Sequence, residues 1–169
     1  GSLPIKGAIH TANQTLSIGA VTMSVGPLDP GASVTKRVGD ANGYTFSSVK
    51  VTAGSAEKIR LMNVKWNQSG AVASSDLANV KTYVDGTAYD IVLSSDGKYY
   101  TSLFGTDGVL IDKGFAKEIS IKGDIVGGSG RSVDFDIFRR QDIVVKGETF
   151  GYNITPPNGT DTSGTDDGA

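Results

Sequence analysis

The chain has 169 residues, enough for one ordinary domain with trimmings and too few for a large two-domain enzyme. Its 23 Gly, 17 Ser and 15 Thr, with 38% hydrophobic residues and no Cys, describe a turn-rich globular protein and remove disulfide frameworks, zinc fingers and Cys nucleophiles. Sixteen basic against 18 acidic residues give a net charge of −2 with no basic stripe, which argues against a nucleic-acid partner, and no apolar run approaches the roughly 18 residues of a membrane helix.

In chain order, the opening Gly1-Ser2 reads as a cloning remnant ahead of an excised or mature segment, and residues 1–15 as an N-terminal arm or lead-in strand. Period-two alternation begins with Val21, Met23 and Val25 apolar and Thr22 and Ser24 polar, the pattern of a half-buried strand, and Gly26-Pro27 ends it. The alternation returns at Phe46, Val49 and Val51, at Ile59, Leu61, Val64 and Trp66, and at Val80, Tyr83 and Val84. In each of these three the apolar phase shifts by one residue midway, which predicts bulges or strands buried on both sides. Residues 72–79 are expected to hold at most one helical turn, capped by Ser74 or Ser75 and bridging two sheets. Further strands are expected at residues 89–93, 99–104, 109–111, 115–125, 132–138 and 143–154.

Between them stand Asp40-Ala41-Asn42-Gly43, Asp85-Gly86, Ser95-Asp96-Gly97, Thr106-Asp107-Gly108 and Gly127-Gly128-Ser129-Gly130, each suited to a tight turn. Short strands at such spacing predict an all-β, antiparallel two-sheet β-sandwich of about nine to eleven strands. The sandwich should span residues 16–155, and the Pro-, Gly-, Thr- and Asp-rich stretch 156–169, without a large apolar residue, reads as a flexible tail or linker.

Candidate chemistry is sparse. The single histidine, His10, lies in the arm, away from the fixed geometry a catalytic base needs. Asp134 and Asp136 share a strand face as the nearest carboxylate pair, but Val133, Phe135 and Ile137 opposite them make a plain alternation with solvated aspartates near Arg139 and Arg140; Asp124 could join them only if loops folded over. No catalytic residue is assigned, and the chain is expected not to be an enzyme. Fifteen Asp against three Glu raise calcium, with Asp40 and Asn42 as candidate ligands, although no segment has the spaced loop of an EF-hand. No other cofactor is expected. Trp66, Tyr83, Tyr89, Tyr99 and Tyr100 raise sugar stacking, but Tyr99 and Tyr100 must point to opposite faces and Trp66 continues the core face of Val64. Four of seven asparagines, Asn13, Asn67, Asn153 and Asn158, sit in N-x-[ST] sequons, candidate glycosylation sites that hint at an extracellular chain.

The segments 46–53, 57–61 and 75–87, the last containing Leu77-Ala78-Asn79-Val80, and 116–125 with 130–135, together resemble the immunoglobulin-like β-sandwich modules of bacterial surface-layer and other cell-envelope proteins. That resemblance implies an architectural role at the cell surface: a surface-layer, stalk or adhesin module whose partners are neighbouring modules or other copies, sometimes with bound calcium and with no catalytic residues to carry over. Two other functions stay open. One is a filament or pilus subunit in which the N-terminal strand completes a neighbour's open sheet. The other is a module binding carbohydrate or a receptor.

Overall fold

The computed structural model describes residues 17–157; the arm with His10 and Asn13, and the tail from Asn158 onward, lie outside the described residues. The protein is all-β, built as two antiparallel sheets packed face to face. The first sheet runs in the order β1 (Val21–Val25), β2 (Tyr44–Ala53), β9 (Ala116–Ile125), β4 (Leu77–Val84), β5 (Thr87–Asp90). The second runs β12 (Asn153–Ile154), β11 (Ile143–Gly147), β3 (Ile59–Gly70), β7 (Tyr99–Leu103), β6 (Val92–Leu93). The 12-residue β3 is the spine of this sheet: β11 and β10 (Val133–Asp136) share one flank of it, while β7 and β8 (Val109–Ile111) share the other.

Two of the three predicted phase shifts are bulges; in the third, β4, the bulge lies ahead of the predicted place, at Asn79–Val80, and Val80 and Val84 then keep one phase while Tyr83 faces outward. Each strand carries one extra residue against its partner, Phe46 in β2 against β9, Met62 in β3 against β11, and the Asn79–Val80 pair against Gly123 in β4. An extra residue rotates the strand by one side-chain position, so apolar residues on either side of the bulge face the same core. Phe46, Val49 and Val51 are therefore all buried although their numbers change parity. Asn79 makes its bulge at φ 52°, a conformation asparagine tolerates better than most residues, and its amide donates to Asp124 Oδ2 at 2.6 Å.

Two expected strands each resolve into two, which brings the count to twelve. Residues 89–93 break at Ile91, where the chain leaves the first sheet as β5 and joins the second as β6. Residues 143–154 fold back as the β11–β12 hairpin. Asp85-Gly86 closes the β4–β5 hairpin with both residues at positive φ (46° and 85°), as a two-residue type I′ turn requires. The short turn Ser74–Asp76 does pass from one sheet to the other, but neither serine caps it: the Asp76 carboxylate reaches back to the Ala73 N–H at 3.0 Å.

Between the sheets, Trp66, Leu61, Val64 and Ile59 of β3 meet Ile119 and Ile121 of β9 and Val51 of β2, all fully buried. Trp66 Nε1–H donates to Thr82 Oγ1 at 3.0 Å, and the Ser102 hydroxyl bonds the same oxygen at 2.8 Å, so one buried hydroxyl from the first sheet satisfies two groups of the second. Tyr100 is buried and Tyr99 faces outward, as strand alternation demands.

Candidate functional site

The two lateral edges of the sandwich differ. On one side the chain closes the edge itself, by passing from β5 into β6. On the other side lie β1 and β12, terminal strands of their sheets, with no chain crossing between them among the described residues. A side chain holds that side together. Glu57, in the loop between β2 and β3, is 2% exposed. One of its oxygens accepts the Gly19 N–H at 2.7 Å, and the other accepts the N–H groups of Thr149 at 2.9 Å and Phe150 at 3.3 Å. The carboxylate thus ties the segment leading into β1 and the β11–β12 turn to the spine strand.

The local sequence makes room for it. A Cβ at Gly19 would lie 2.7 Å from Glu57 Cγ, and one at Gly147 would lie 2.5 Å from Glu57 Oε1, so both glycines admit the side chain by lacking one. Burial pushes the Glu57 carboxyl toward a higher pKa; its three backbone donors and the charge of Lys113 outweigh that and hold it below the ordinary glutamate value. The same end carries Arg60, which grips Glu148 through Nε and through Nη2 at 2.9 Å while Nη1 donates to the Asp107 carbonyl at 3.0 Å, and Lys58 paired with Asp112 at 2.7 Å. A cleft of about 430 Å³ opens there beside Arg60, Lys146 and Phe150, with the guanidinium already engaged.

Direction matters as much as the contacts. β1 starts at the Glu57 end, with Val21 opposite Ala53 and the Gly54 N–H donating to Ala20 O at 2.8 Å. β12 also starts there and runs away from it, Asn153 opposite Lys146 and then Ile154 opposite Val145. The described chain therefore comes in at one end and its last strand points to the other. Pulling the two ends apart lengthwise would slide β1 along β2, loading its five register pairs together, and would pull Gly19 directly against Glu57.

The residues singled out in the sequence fall elsewhere. Asp134 and Asp136 face outward on β10 of the second sheet, with Phe135 buried between them, as the alternation predicts. Asp134 accepts the Phe135 N–H at 3.0 Å, and Asp136 and Arg140 are both engaged. Asp124 lies on β9 of the other sheet, accepting the N–H of Gly43 at 2.6 Å in addition to Asn79, so the three acids do not converge. The nearly buried Asp142 pairs with Lys65 at 2.6 Å, and that ammonium also lies 5.1 Å from the centre of the Tyr99 ring. Asp40 and Asn42 sit exposed on the loop before β2, and among the described residues no three acidic, histidine or cysteine side chains gather as a metal cluster. Tyr83, under Lys122, and Tyr99 stand on the outer faces of opposite sheets and cannot share one platform. Asn67 lies mid-sheet between Tyr99 and Asp136, while Asn153 is exposed on β12.

The aspartate excess has a structural use. Asp29, Asp76, Asp85, Asp96, Asp124, Asp134 and Asp142, seven of the twelve described aspartates, accept a backbone N–H in a turn, bulge or strand end. Glu57 escaped the sequence reading because its partners lie 38, 92 and 93 residues away along the chain and are backbone groups, which leave no residue-type signature.

No protein-family model matches the chain, and no curated protein resembles it. Among solved structures it is similar to the full-length major pilin RrgB from Streptococcus pneumoniae, with a TM-score of 0.28 and 12% identity over 78% of this chain. The chain spans about a quarter of that pilin, 26% of its length. No described helix is long and apolar enough to cross a membrane.

Proposed function

We propose that the chain is a non-catalytic structural module of an extracellular surface protein, of the surface-layer, stalk or adhesin kind, with neighbouring modules or other copies as its partners. The observation that carries the reading is the load path: β1 arranged in shear against β2, with the buried Glu57 holding the incoming chain to the spine strand. Hydrogen bonds loaded in shear must break together, whereas those at a hairpin end open one at a time, and forced unfolding is governed by that barrier. Most of the described carboxylates support the reading too, seven aspartates and Glu57 accepting backbone N–H groups and Asp90, Asp112 and Glu148 standing in ion pairs.

Two measurements test it. Single molecules pulled lengthwise from the two ends of the sandwich should rupture at clearly higher force than molecules pulled apart across the β4–β5 hairpin; equal forces would remove the mechanical argument. Antibodies against the folded domain should label intact cells of the source organism, and labelling only after permeabilisation would remove the extracellular role.

A further inference from the structure

Among the described strands that end a sheet, β1 alone is long and unguarded. β6 and β12 have two residues each, and β5 has four, including Asp90. β10, flanking the spine, carries two aspartates. β1 has five residues, Val-Thr-Met-Ser-Val, with no charge, no proline and no bulge in its pairing to β2. Edges are normally blunted by those devices, because an unblunted edge offers a row of N–H and C=O groups to another strand.

The phase of the β1–β2 ladder shows which groups are on offer. Gly54 N–H donates to Ala20 O, and Gly26 N–H to Ser48 O at 2.8 Å, so the even-numbered residues of β1 bond β2. Val21, Met23 and Val25 therefore direct both backbone groups away from it, and no described strand lies on that side. The stretch has definite limits. At one end the Gly19 N–H is taken by Glu57, and at the other Pro27 has no N–H to give. Val25, 66% exposed, flanks a cleft of about 520 Å³ lined by Ser24, Gly26, Pro27 and Lys50.

We infer that this edge pairs with the β1 edge of a second copy of the chain, antiparallel about a two-fold axis at Met23. In that register Val21 faces Val25 of the second copy, Met23 faces Met23 and Val25 faces Val21. All three are bonding positions, so every outward N–H and C=O of the stretch is satisfied by its counterpart. Thr22 then faces Ser24 on the outer surface, where both are exposed. The apolar residues share the inner face, and no like charges meet. The sequence is self-complementary in hydrogen bonding, side-chain face and charge at once, and only this register achieves all three over the whole stretch. The pairing joins two five-stranded sheets into one of ten strands. A single five-residue ladder, about 17 Å long, buries far less surface than the roughly 1,200 Å² of a stable interface, so the dimer is weak and reversible in dilute solution and gains when copies are held close together. It does not depend on the surface role proposed above, so failure of surface labelling leaves it standing.

The native chain has no cysteine, which allows a direct test. Full-length Thr22→Cys and Ser24→Cys chains, mixed and mildly oxidised, should form the 22–24 mixed disulfide, while either variant alone gives little dimer. Wild-type chain should show mass rising with concentration by sedimentation, and hydrogen exchange at Val21, Met23 and Val25 should slow as concentration rises. Val25→Pro, which removes an N–H on the open side only, should abolish both shifts and keep the monomer's melting midpoint and circular dichroism near wild type. Monomer at every concentration with no mixed disulfide would overturn the proposal. So would protection of those three amides that is independent of concentration, since the occupant would then belong to the same chain.

Discussion

The sandwich closes its two sides by different means. On the β5–β6 side a single stretch of backbone passes between sheets, and Tyr89 and Phe104 pack edge to face at 5.0 Å beneath it. On the β1–β12 side one carboxylate does what backbone does opposite, by gathering N–H groups from two distant segments. Covalent closure is indifferent to pH and to any single polar substitution. Closure by a carboxylate depends on one proton and on one side chain, and among the described residues it leaves the outer edge of β1 without a partner strand.

Four substitutions probe that contrast, from the largest expected effect to the smallest. Phe104→Ala removes a buried ring from the covalent side and should cost about 3–5 kcal/mol, read as a lowered denaturation midpoint with all strands losing protection together. A smaller and local effect is expected from Glu57→Ala: about 2–3 kcal/mol, mainly from the buried Gly19 N–H left without an acceptor, with hydrogen exchange quickening in β1 and β12 while β5 and β6 stay protected. Uniform quickening would mean that Glu57 is not specific to that side. Glu57→Gln keeps the shape and removes the charge, at about 1 kcal/mol near neutral pH. Its sharper readout is pH: because the folded Glu57 pKa is depressed, its contribution is present above the unfolded value and is lost as pH falls through the folded one, so the wild type should weaken more steeply than the variant in acid. Last, Asp90→Asn breaks the exposed pair with Lys81 at 2.8 Å on the covalent side and should leave the melting midpoint within error.

How much of this could be read beforehand follows the range of each interaction. Alternation and bulges are local: the parity change between Phe46 and Val49 records the extra residue in β2 without knowledge of β9. The break at Ile91 was hidden because a strand that changes sheets keeps its apolar residues, and the pattern of residues 89–93 does not mark the corner. The clasp was hidden for a different reason. Glu57 stands beside Lys58 in an unexceptional polar loop, and what distinguishes it is the missing side chains at Gly19 and Gly147, which meet it only after folding. Most of the aspartates were legible as turn residues: seven of the twelve described ones accept a backbone N–H, while Asp90 and Asp112 pair with lysines and Asp40 sits exposed on its loop.

The three bulges bear on how such a molecule fails. A regular ladder can creep, because a slip of two residues restores every side chain to its own face. In β2, β3 and β4 the phase reverses partway along, so a slip carries the reversal past its matching point on the partner, and some polar residue is forced inward whichever way the strand moves. Gradual yielding is thereby closed off. The central strands can hold their register or lose it altogether, which makes the molecule brittle, and a brittle unit in a series keeps its full length until the load at which it gives way.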